Sequence, residues 1–221
     1  MQPDLFTTDS HHLTQKHEPE VTLLDPQGKC YLCIYRGYYN QSEAQELHCN
    51  LLSSIPWRQD NIRIAGRQLP IPRLQAWFGD PGTDYAYSGI RLAPIPLSAA
   101  LLRIKQDMES LGNGRDQHSL RYNSLLANLY RDGNDSVGWH SDDEKELGTN
   151  PVIASVSLGG SRRFSLKPRD KHRPPLHLDL HSGDVLIMGG ETQHHWVHQI
   201  PKTRTPVTPR INLTFRKIHV K

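Results

Sequence analysis

Residues 152–190 of the chain have the sequence V-I-A-S-V-S-L-G-G-S-R-R-F-S-L-K-P-R-D-K-H-R-P-P-L-H-L-D-L-H-S-G-D-V-L-I-M-G-G. Short runs rich in β-branched and other apolar residues are separated here by Gly-Gly and Ser-Gly-Asp, which are turn sequences. The spacing predicts strands over residues 152–158, 163–167, 176–180 and 185–188. Many short strands at such intervals favour an antiparallel sandwich or barrel.

The same pattern continues on both sides of this stretch. Upstream, residues 124–130 and 137–141 are predicted strands, and downstream residues 195–200 and 210–218 are two more. The C-terminal half of the chain is therefore expected to consist of strands that build one β-structure.

The N-terminal half contains the predicted helices. The first spans residues 40–55 with Ser42 as its N-cap, and the second spans residues 98–111. Expected buried positions of the second helix are Leu101, Leu102, Ile104 and Met108. The other expected elements are strands within residues 21–39, a hairpin over 62–74 and a loop over 77–89.

Length and composition favour one globular domain. The chain has 221 residues, of which 36% are hydrophobic and 22% charged, and this length supports one sizeable core. We expect a disordered tail over residues 1–20 and one mainly β (α+β) domain over residues 21–221. Its two or more helices should pack on the outside of the sheets.

Charge and hydropathy limit the partners. The formal net charge of +3 permits a polyanionic partner without requiring one. No segment approaches the roughly 18 apolar residues that cross a bilayer, and the first residues lack the apolar core of a signal peptide. We therefore expect a cytoplasmic protein without membrane contact, and we expect it to be monomeric.

A histidine and a carboxylate at strand spacing occur in Gly138-Trp139-His140-Ser141-Asp142-Asp143-Glu144. On a strand, His140 and Asp142 point to the same face. With a second histidine they would form a 2-His-1-carboxylate triad, the ligand set of non-haem Fe(II) oxygenases, which leaves metal positions open for a bidentate oxo-acid and O2. One H-x-D triplet is expected by chance, so this prediction depends on residues further along the chain.

The third ligand would come from T-Q-H-H-W-V-H, residues 192–198. On a strand, His194 and His198 share one face and His195 points away. Spacing alone does not choose between His194 and His198.

Residues 210–216 predict a half-buried strand with Arg210 and Arg216 on its polar face. Arginine binds carboxylates in a bidentate manner, so this pair could hold both ends of a short dicarboxylate. Asn128 and Tyr130 share one face of an earlier strand and could hydrogen-bond the same acid. The alternative is a surface strand with solvated arginines.

Cys30 and Cys33 form a C-x-x-C pair within a predicted strand. Residues three apart on a strand point to opposite faces. A structural zinc site needs converging ligands, so we do not expect one at this pair.

Six segments in order resemble the AlkB family of Fe(II)- and 2-oxoglutarate-dependent dioxygenases, most of all its DNA-repair branch. They are P-R-L-Q-A-W-F-G-D with Y-A-Y-S-G, N-L-Y-R-D-G-N-D-S-V-G-W-H-S-D-D-E, I-A-S-V-S-L-G-G-S-R-R-F, L-H-S-G-D-V-L-I-M-G-G, H-W-V-H-Q-I-P and P-R-I-N-L-T-F-R-K. The resemblance implies a double-stranded β-helix, or jelly roll. The chain before residue 72 matches poorly, which leaves open whether single or double strands are preferred.

The resemblance implies a role for each matching residue. The implied metal ligands are His140, Asp142 and His198. The implied co-substrate contacts are Asn128, Tyr130, Arg210, Asn212 and Arg216, with Arg210 at the distal carboxylate of 2-oxoglutarate. On the substrate side, Tyr87 would stack on a flipped base and Glu144 would lie at the pocket rim, with further candidates at Tyr85, Trp77, Phe78 and Arg162.

The implied activity is oxidative dealkylation of N-alkylated bases, such as 1-methyladenine and 3-methylcytosine in DNA. It would use Fe(II), 2-oxoglutarate and O2 and release an aldehyde, succinate and CO2, with alkylated DNA or RNA as the partner. Three alternatives stay open at this point. They are an oxygenase that acts on RNA, a protein side chain or a lipid, a non-catalytic binding module on a jelly-roll scaffold, and a zinc hydrolase with the same ligands.

Overall fold

The computed structural model of the chain describes residues 18–64, 66–87, 90–115 and 120–219, with the backbone alone at residues 63–64, 85–87 and 90–91. Most of the tail predicted over residues 1–20 lies outside this range, and Glu20 already belongs to a strand. The tail and the extent of the domain stay predictions.

The described residues form a mainly β structure. The helices are α1 Gln41–Ser54, α2 Ala99–Ser110 and the short α3 Thr192–His195. The strands are β1 Glu20–Leu23, β2 Cys30–Tyr35, β3 Asn61–Ile64, β4 Arg67–Pro70, β5 Leu74–Gly79, β6 Tyr85–Tyr87, β7 Ile90–Leu92, β8 Ser124–Tyr130, β9 Val137–His140, β10 Ile153–Gly159, β11 Arg162–Pro168, β12 Leu176–Leu180, β13 Val185–Gly190, β14 Trp196–Ile200 and β15 Arg210–Arg216.

Two antiparallel sheets contain the strands that build the fold. The larger has the order β1-β2-β13-β10-β15-β8-β5, and the smaller has the order β12-β11-β14-β9. From β8 onward the chain passes repeatedly between the two sheets. This is the topology of the jelly roll that the sequence predicted, and the predicted strands from residue 124 onward are all present.

The predicted loop over residues 77–89 is wrong. Trp77 and Phe78 lie in β5, which pairs with β8 along its whole length, and residues 85–87 form β6. The glycines suggested a loop, but aromatic residues favour strands when a neighbouring strand is available to pair with. The predicted hairpin before it is confirmed as β3 and β4.

Apolar and polar side chains alternate along the strands of the larger sheet, so its two faces differ in chemistry. On β15, Ile211, Leu213 and Phe215 belong to a core cluster with α1 and α2, whereas Arg210 and Arg216 line a cavity on the opposite face. The strand was predicted to be half-buried, but it is buried on both faces. The polar face is covered because the smaller sheet lies over it.

The core under the helices continues this apolar face across the sheet. Burying each large apolar side chain contributes about 1.5–3 kcal/mol, so this layer anchors the strands that carry the cavity. Its members on β8, β10 and β13 are Leu125, Ala127, Leu129, Ala154, Val156, Leu158, Val185 and Ile187, and the helices contribute Ala44, Leu51, Leu101, Ile104 and Met108. Leu102 was predicted to be buried with them, but it points outward and is exposed.

The N-cap of the first helix lies two residues earlier than predicted. Asn40, not Ser42, is its N-cap, because the Asn40 side chain accepts a hydrogen bond from Glu43 N at 3.0 Å and Glu43 Oε2 accepts one from Asn40 N at 2.9 Å. This reciprocal pair is a capping box, which satisfies two backbone donors that would otherwise lack partners.

Cys30 and Cys33 are buried in different core clusters on opposite faces of β2. This confirms that their side chains do not converge. Among the described helices, none is long and apolar enough to span a membrane.

Replacing the N-cap tests this correction. Asn40→Ala is expected to lower the free energy of unfolding by about 1 kcal/mol, because it removes the side-chain oxygen that accepts from Glu43 N. Ser42→Ala is the matched control and should change it by less than about 0.5 kcal/mol, as for other exposed positions. Urea unfolding followed by circular dichroism measures both, and a larger loss at Ser42 would contradict the assignment.

Candidate active site

A cavity of about 760 Å³ lies between the two sheets. The strands β8, β10 and β15 form its floor, and β9 and β14 form the opposite wall. Most of the polar residues predicted from the sequence meet here. The predicted residues that line the cavity are Asn128, Tyr130, His140, Asp142, Glu144, His198, Arg210, Asn212 and Arg216.

A cluster of three potential metal ligands forms one end of the cavity. His140 and His198 are direct cross-strand partners on β9 and β14, with ring centroids 4.3 Å apart. One ligand atom from each of them and one from Asp142 all lie within 4.8 Å of one another. Asp142 was expected on the same strand as His140, but β9 ends at His140 and the carboxylate comes from the segment that follows.

Tertiary structure chooses between the candidate third ligands. His194 and His195 lie in α3 and are exposed, whereas His198 lies in β14 and is buried beside His140. The strand begins only at Trp196, so the assumption that residue 194 shares a strand face with residue 198 does not hold.

The protonation states suit a divalent metal. Nδ1 of His140 lies 2.8 Å from the carbonyl oxygen of Gly138, and because a carbonyl only accepts, Nδ1 carries the proton and Nε2 is left to bind a metal. Burial and the nearby His140 lower the pKa of His198 to about 3, although Asp142 opposes this shift. The ring is therefore neutral near pH 7, as a metal ligand must be.

Asp142 is held as a carboxylate by charge. Burial alone would raise its pKa, but the charge of Arg216 and the nearby His198 and His140 outweigh this and lower the pKa to about 2. Arg216 Nη2 donates to Asp142 Oδ1 at 2.9 Å, and both side chains are buried. Two imidazole nitrogens and an ionised carboxylate are the donors that Fe(II) takes in facial triads.

Arg210 forms the far end of the cavity floor. Its Nη2 donates to Ser157 Oγ at 2.9 Å, but its Nε and Nη1 are buried without a hydrogen-bond partner among the described residues. Burial lowers its pKa to about 10, so it is still charged near neutral pH. A buried cation with free donors is costly unless an anion is bound, and a carboxylate matches its planar N–H groups.

Asn212 and Asn128 lie between the metal-ligand cluster and Arg210, and hydrogen bonds hold both side chains in place. Asn212 lies opposite Asn128 in the β15–β8 pair. Asn212 Nδ2 donates to Ser155 Oγ at 2.6 Å, and Asn128 Oδ1 accepts from Arg73 Nε at 2.9 Å. Because its oxygen is engaged with Arg73, Asn128 presents its amide donors to other partners. A dicarboxylate with one end at the metal and the other at Arg210 fits this arrangement.

Trp77 and Phe78 were predicted to contact substrate, and the structure corrects both. Both are buried in the protein core, and neither lines the cavity that the described residues enclose. Trp77 Nε1 donates to Thr83 O at 2.8 Å, while Phe78 belongs to the core cluster under the helices. On a strand, adjacent residues enter opposite core layers, and here both layers are apolar.

Arg162 is a further correction. It was predicted on the substrate side, but its buried guanidinium donates to the carbonyl oxygens of Asp132, Asp135 and Pro201 at 2.7 to 3.0 Å. It is bound behind the cavity wall instead of lining the cavity.

The remaining substrate candidates divide into two cases. Glu144 lines the cavity, as predicted for an acid at its rim. Tyr85 and Tyr87 lie on β6, and their side chains lie outside the described part of the structure. Their contacts with substrate stay predictions.

Sequence reasoning missed several buried polar residues of the site. Gln193, in α3, accepts a hydrogen bond from Asp142 N at 3.0 Å and so holds the segment that carries the carboxylate. No pattern distinguished it from its neighbours. Ser155 and Ser157 could have been found, because they alternate with apolar residues in β10 and mark its polar face.

The comparisons with known proteins agree with this geometry. A family model described as the 2OG-Fe(II) oxygenase superfamily matches residues 31–216. "Alpha-ketoglutarate-dependent dioxygenase alkB homolog 3" of Mus musculus is 38% identical over 211 residues, which cover 89% of this chain and 69% of that protein. "DNA oxidative demethylase ALKBH2" of Homo sapiens is 34% identical over 196 residues, which cover 84% and 73%.

Solved structures share the fold at low identity. The structure titled "The structure of OsALKBH1" has a TM-score of 0.60 and 20% identity, covering 84% of this chain and 97% of that one. A prolyl hydroxylase from Trichoplax adhaerens has a TM-score of 0.56 and 14% identity, covering 85% of this chain and 83% of its own. Likeness at this identity supports the jelly-roll fold and nothing finer.

Replacing each candidate histidine tests the metal cluster. His198→Ala is expected to weaken Mn(II) binding by about 100-fold, because it removes one of the buried donors. His194→Ala, its exposed neighbour, should change the affinity by less than about threefold. Titration of free Mn(II) by electron paramagnetic resonance measures both, and loss of binding in His194→Ala alone would overturn the assignment.

Removing the support of Asp142 should also weaken the metal site. Gln193→Ala is expected to lower Mn(II) affinity about tenfold, as for other groups that orient metal ligands. Gln199→Ala is the control, since Gln199 lies on β14 beside His198 but on the outer face. Equal affinities of Gln193→Ala and wild type would show that Asp142 is held by other contacts.

Proposed function

This chain belongs to the AlkB family of Fe(II)- and 2-oxoglutarate-dependent dioxygenases, and from that membership we propose that it removes alkyl groups from alkylated nucleic-acid bases, with DNA as its substrate. The proposal rests on one cavity that is lined both by the cluster of His140, Asp142 and His198 and by Arg210, whose Nε and Nη1 have no partner among the described residues. A relative that is 34% identical to the chain is named a DNA oxidative demethylase.

The residues His140, Asp142 and His198 would hold Fe(II) through Nε2 of His140, a carboxylate oxygen of Asp142 and a ring nitrogen of His198. When bound, Fe(II), 2-oxoglutarate and O2 supply an oxidant that hydroxylates an N-alkyl carbon, with succinate and CO2 as co-products. Loss of the hydroxylated group as an aldehyde restores the base. The protein contributes open metal positions, orientation and exclusion of water.

The arginines orient the co-substrate. Arg210 would bind the distal carboxylate, since its free Nε and Nη1 need an anion. Arg216 stays on Asp142 and keeps that ligand ionised. Asn128, Tyr130 and Asn212 lie between them and would direct the acid toward the metal.

A nucleic-acid substrate fits the cavity entrance. Trp139 lines the cavity and is 38% exposed, and Lys167 Nζ lies 4.1 Å from its ring centroid. A base in a duplex must leave the stack to reach the metal, which costs a few kcal/mol. Stacking on an aromatic residue, for which Tyr87 is the candidate, would offset about 1–3 kcal/mol. Glu144 at the cavity would meet the polar edge of the base.

Family membership sets aside two of the earlier alternatives, the binding module and the zinc hydrolase. The other alternative, action on RNA, a protein side chain or a lipid, keeps the same metal site and differs only in substrate. A monomeric state and a cytoplasmic location stay predictions.

Product analysis tests this function. Oligonucleotides with 1-methyladenine, 3-methylcytosine or etheno adducts, in single- and double-stranded form, are incubated with the protein, Fe(II) and 2-oxoglutarate. We expect mass spectrometry to show restored bases together with one succinate per repaired base. His140→Ala should reduce the rate to background, because it removes a metal ligand, and Zn(II) should inhibit.

Methylated RNA and methylated peptides are offered in parallel. Turnover of peptides without turnover of DNA would reject the proposed substrate but keep the oxygenase. Activity supported by Zn(II), or an His140→Ala variant as active as wild type, would reject the metal assignment.

A further inference from the structure

Arg162 is a buried cation that does not line the cavity and has no role in the proposed function. Its guanidinium joins two separate segments, since it donates to Asp132 O and Asp135 O in the segment between β8 and β9 and to Pro201 O after β14. All three acceptors are backbone carbonyls. The carboxylate of Asp135, an acid near Arg162, is bound by Arg131 at 2.8 and 2.9 Å.

Tyr130 lies within reach of two guanidinium groups. The guanidinium carbons of Arg162 and Arg210 each lie 5.5 Å from the centroid of the Tyr130 ring. Both distances are within the range of cation–π attraction. The two guanidinium carbons are therefore within about 11 Å of each other, and of the three side chains Tyr130 and Arg210 line the cavity whereas Arg162 does not.

The two cations repel each other, and the surrounding protein compensates only part of this repulsion. The pKa of Arg210 is lowered by burial and further by the charge of Arg162, while Tyr130 opposes the shift. Among the described residues Arg210 has no carboxylate partner, and its one side-chain hydrogen bond is to Ser157 Oγ. An added anion at Arg210 would relieve the repulsion and would be attracted by both charges.

We propose that Arg162 is a positioning residue of the co-substrate site, which holds Tyr130 against Arg210 and adds a second positive charge behind it. It thereby favours 2-oxo acids that carry a distal carboxylate over those that lack one. Arg162 does not touch the acid, so its effect passes through Tyr130 and through space. The proposal rests on 2-oxoglutarate as co-substrate of the proposed function.

A comparison of two acids isolates this effect. 2-Oxoglutarate and 2-oxobutyrate share the metal-binding 2-oxo acid group, but only the first has a distal carboxylate. Their affinities for the Fe(II)-loaded full chain are measured by calorimetry without O2. The ratio of the two affinities within one variant cancels any loss of folded protein or of metal.

Arg162→Gln removes the charge and keeps one donor for the carbonyls. We expect its preference for 2-oxoglutarate over 2-oxobutyrate to fall about tenfold, the size of one unit charge about 10 Å away at an intermediate effective dielectric constant. Arg162→Lys keeps the charge but loses the planar contact with Tyr130, and its preference should fall about threefold. Arg163→Gln is the control, since Arg163 is the adjacent exposed arginine and pairs with Asp179, and its ratio should equal that of wild type.

An unchanged ratio in Arg162→Gln, with both acids weakened equally, would overturn the proposal and leave Arg162 with a purely structural role. If Arg162→Gln does not fold, Arg162→Lys is used instead. A ratio of the two affinities in Arg162→Lys equal to that of wild type would then overturn the proposal. A wild-type protein with no preference for 2-oxoglutarate would instead reject the co-substrate, which separates that failure from failure of the role of Arg162.

Discussion

The buried ion pair between Arg216 and Asp142 connects the two sheets at the metal end of the cavity. Arg216 lies on β15 of the larger sheet, and Asp142 follows β9 of the smaller one. A buried charge without its partner costs several kcal/mol, so a slip of one sheet past the other that separated the pair would leave an unpaired buried charge. The pair therefore fixes the position of a metal ligand and the spacing of the sheets together, and Gln193 fixes the backbone of that ligand from a third direction.

The two faces of the larger sheet have different roles. Its outer face is apolar and packs under α1 and α2, which anchors β8, β10 and β15 in the core. Its inner face carries the arginines, asparagines and serines of the cavity. Close approach of the strands is needed near Arg210. Gly159, its partner across β10 and β15, has φ +83°, and a Cβ there would lie 2.4 Å from Pro209 O.

The electrostatics of the cavity prepare it for ligands at both ends. At one end, neutral His198 and ionised Asp142 suit a divalent cation. At the other, Arg210 retains free donors and a positive charge that Arg162 reinforces from behind Tyr130. Under the proposed function, one cavity would hold a cation at one end and the distal carboxylate of the co-substrate at the other, and this would orient an asymmetric acid.

The sequence by itself determined the strands from residue 124 onward and the two longer helices, and period-two alternation placed Arg210 and Arg216 on one face of β15 and Asn128 and Tyr130 on one face of β8. The roles of the individual cavity residues came from the resemblance to the AlkB family. Spacing in the sequence could not choose between His194 and His198, since that depends on where α3 ends and β14 begins. Nor could it show that Trp77, Phe78 and Arg162 avoid the cavity, or that Gln193 reaches Asp142. Only the tertiary structure decided these points, because they depend on which distant segments meet, and spacing along one chain holds no information about the segment that packs against it.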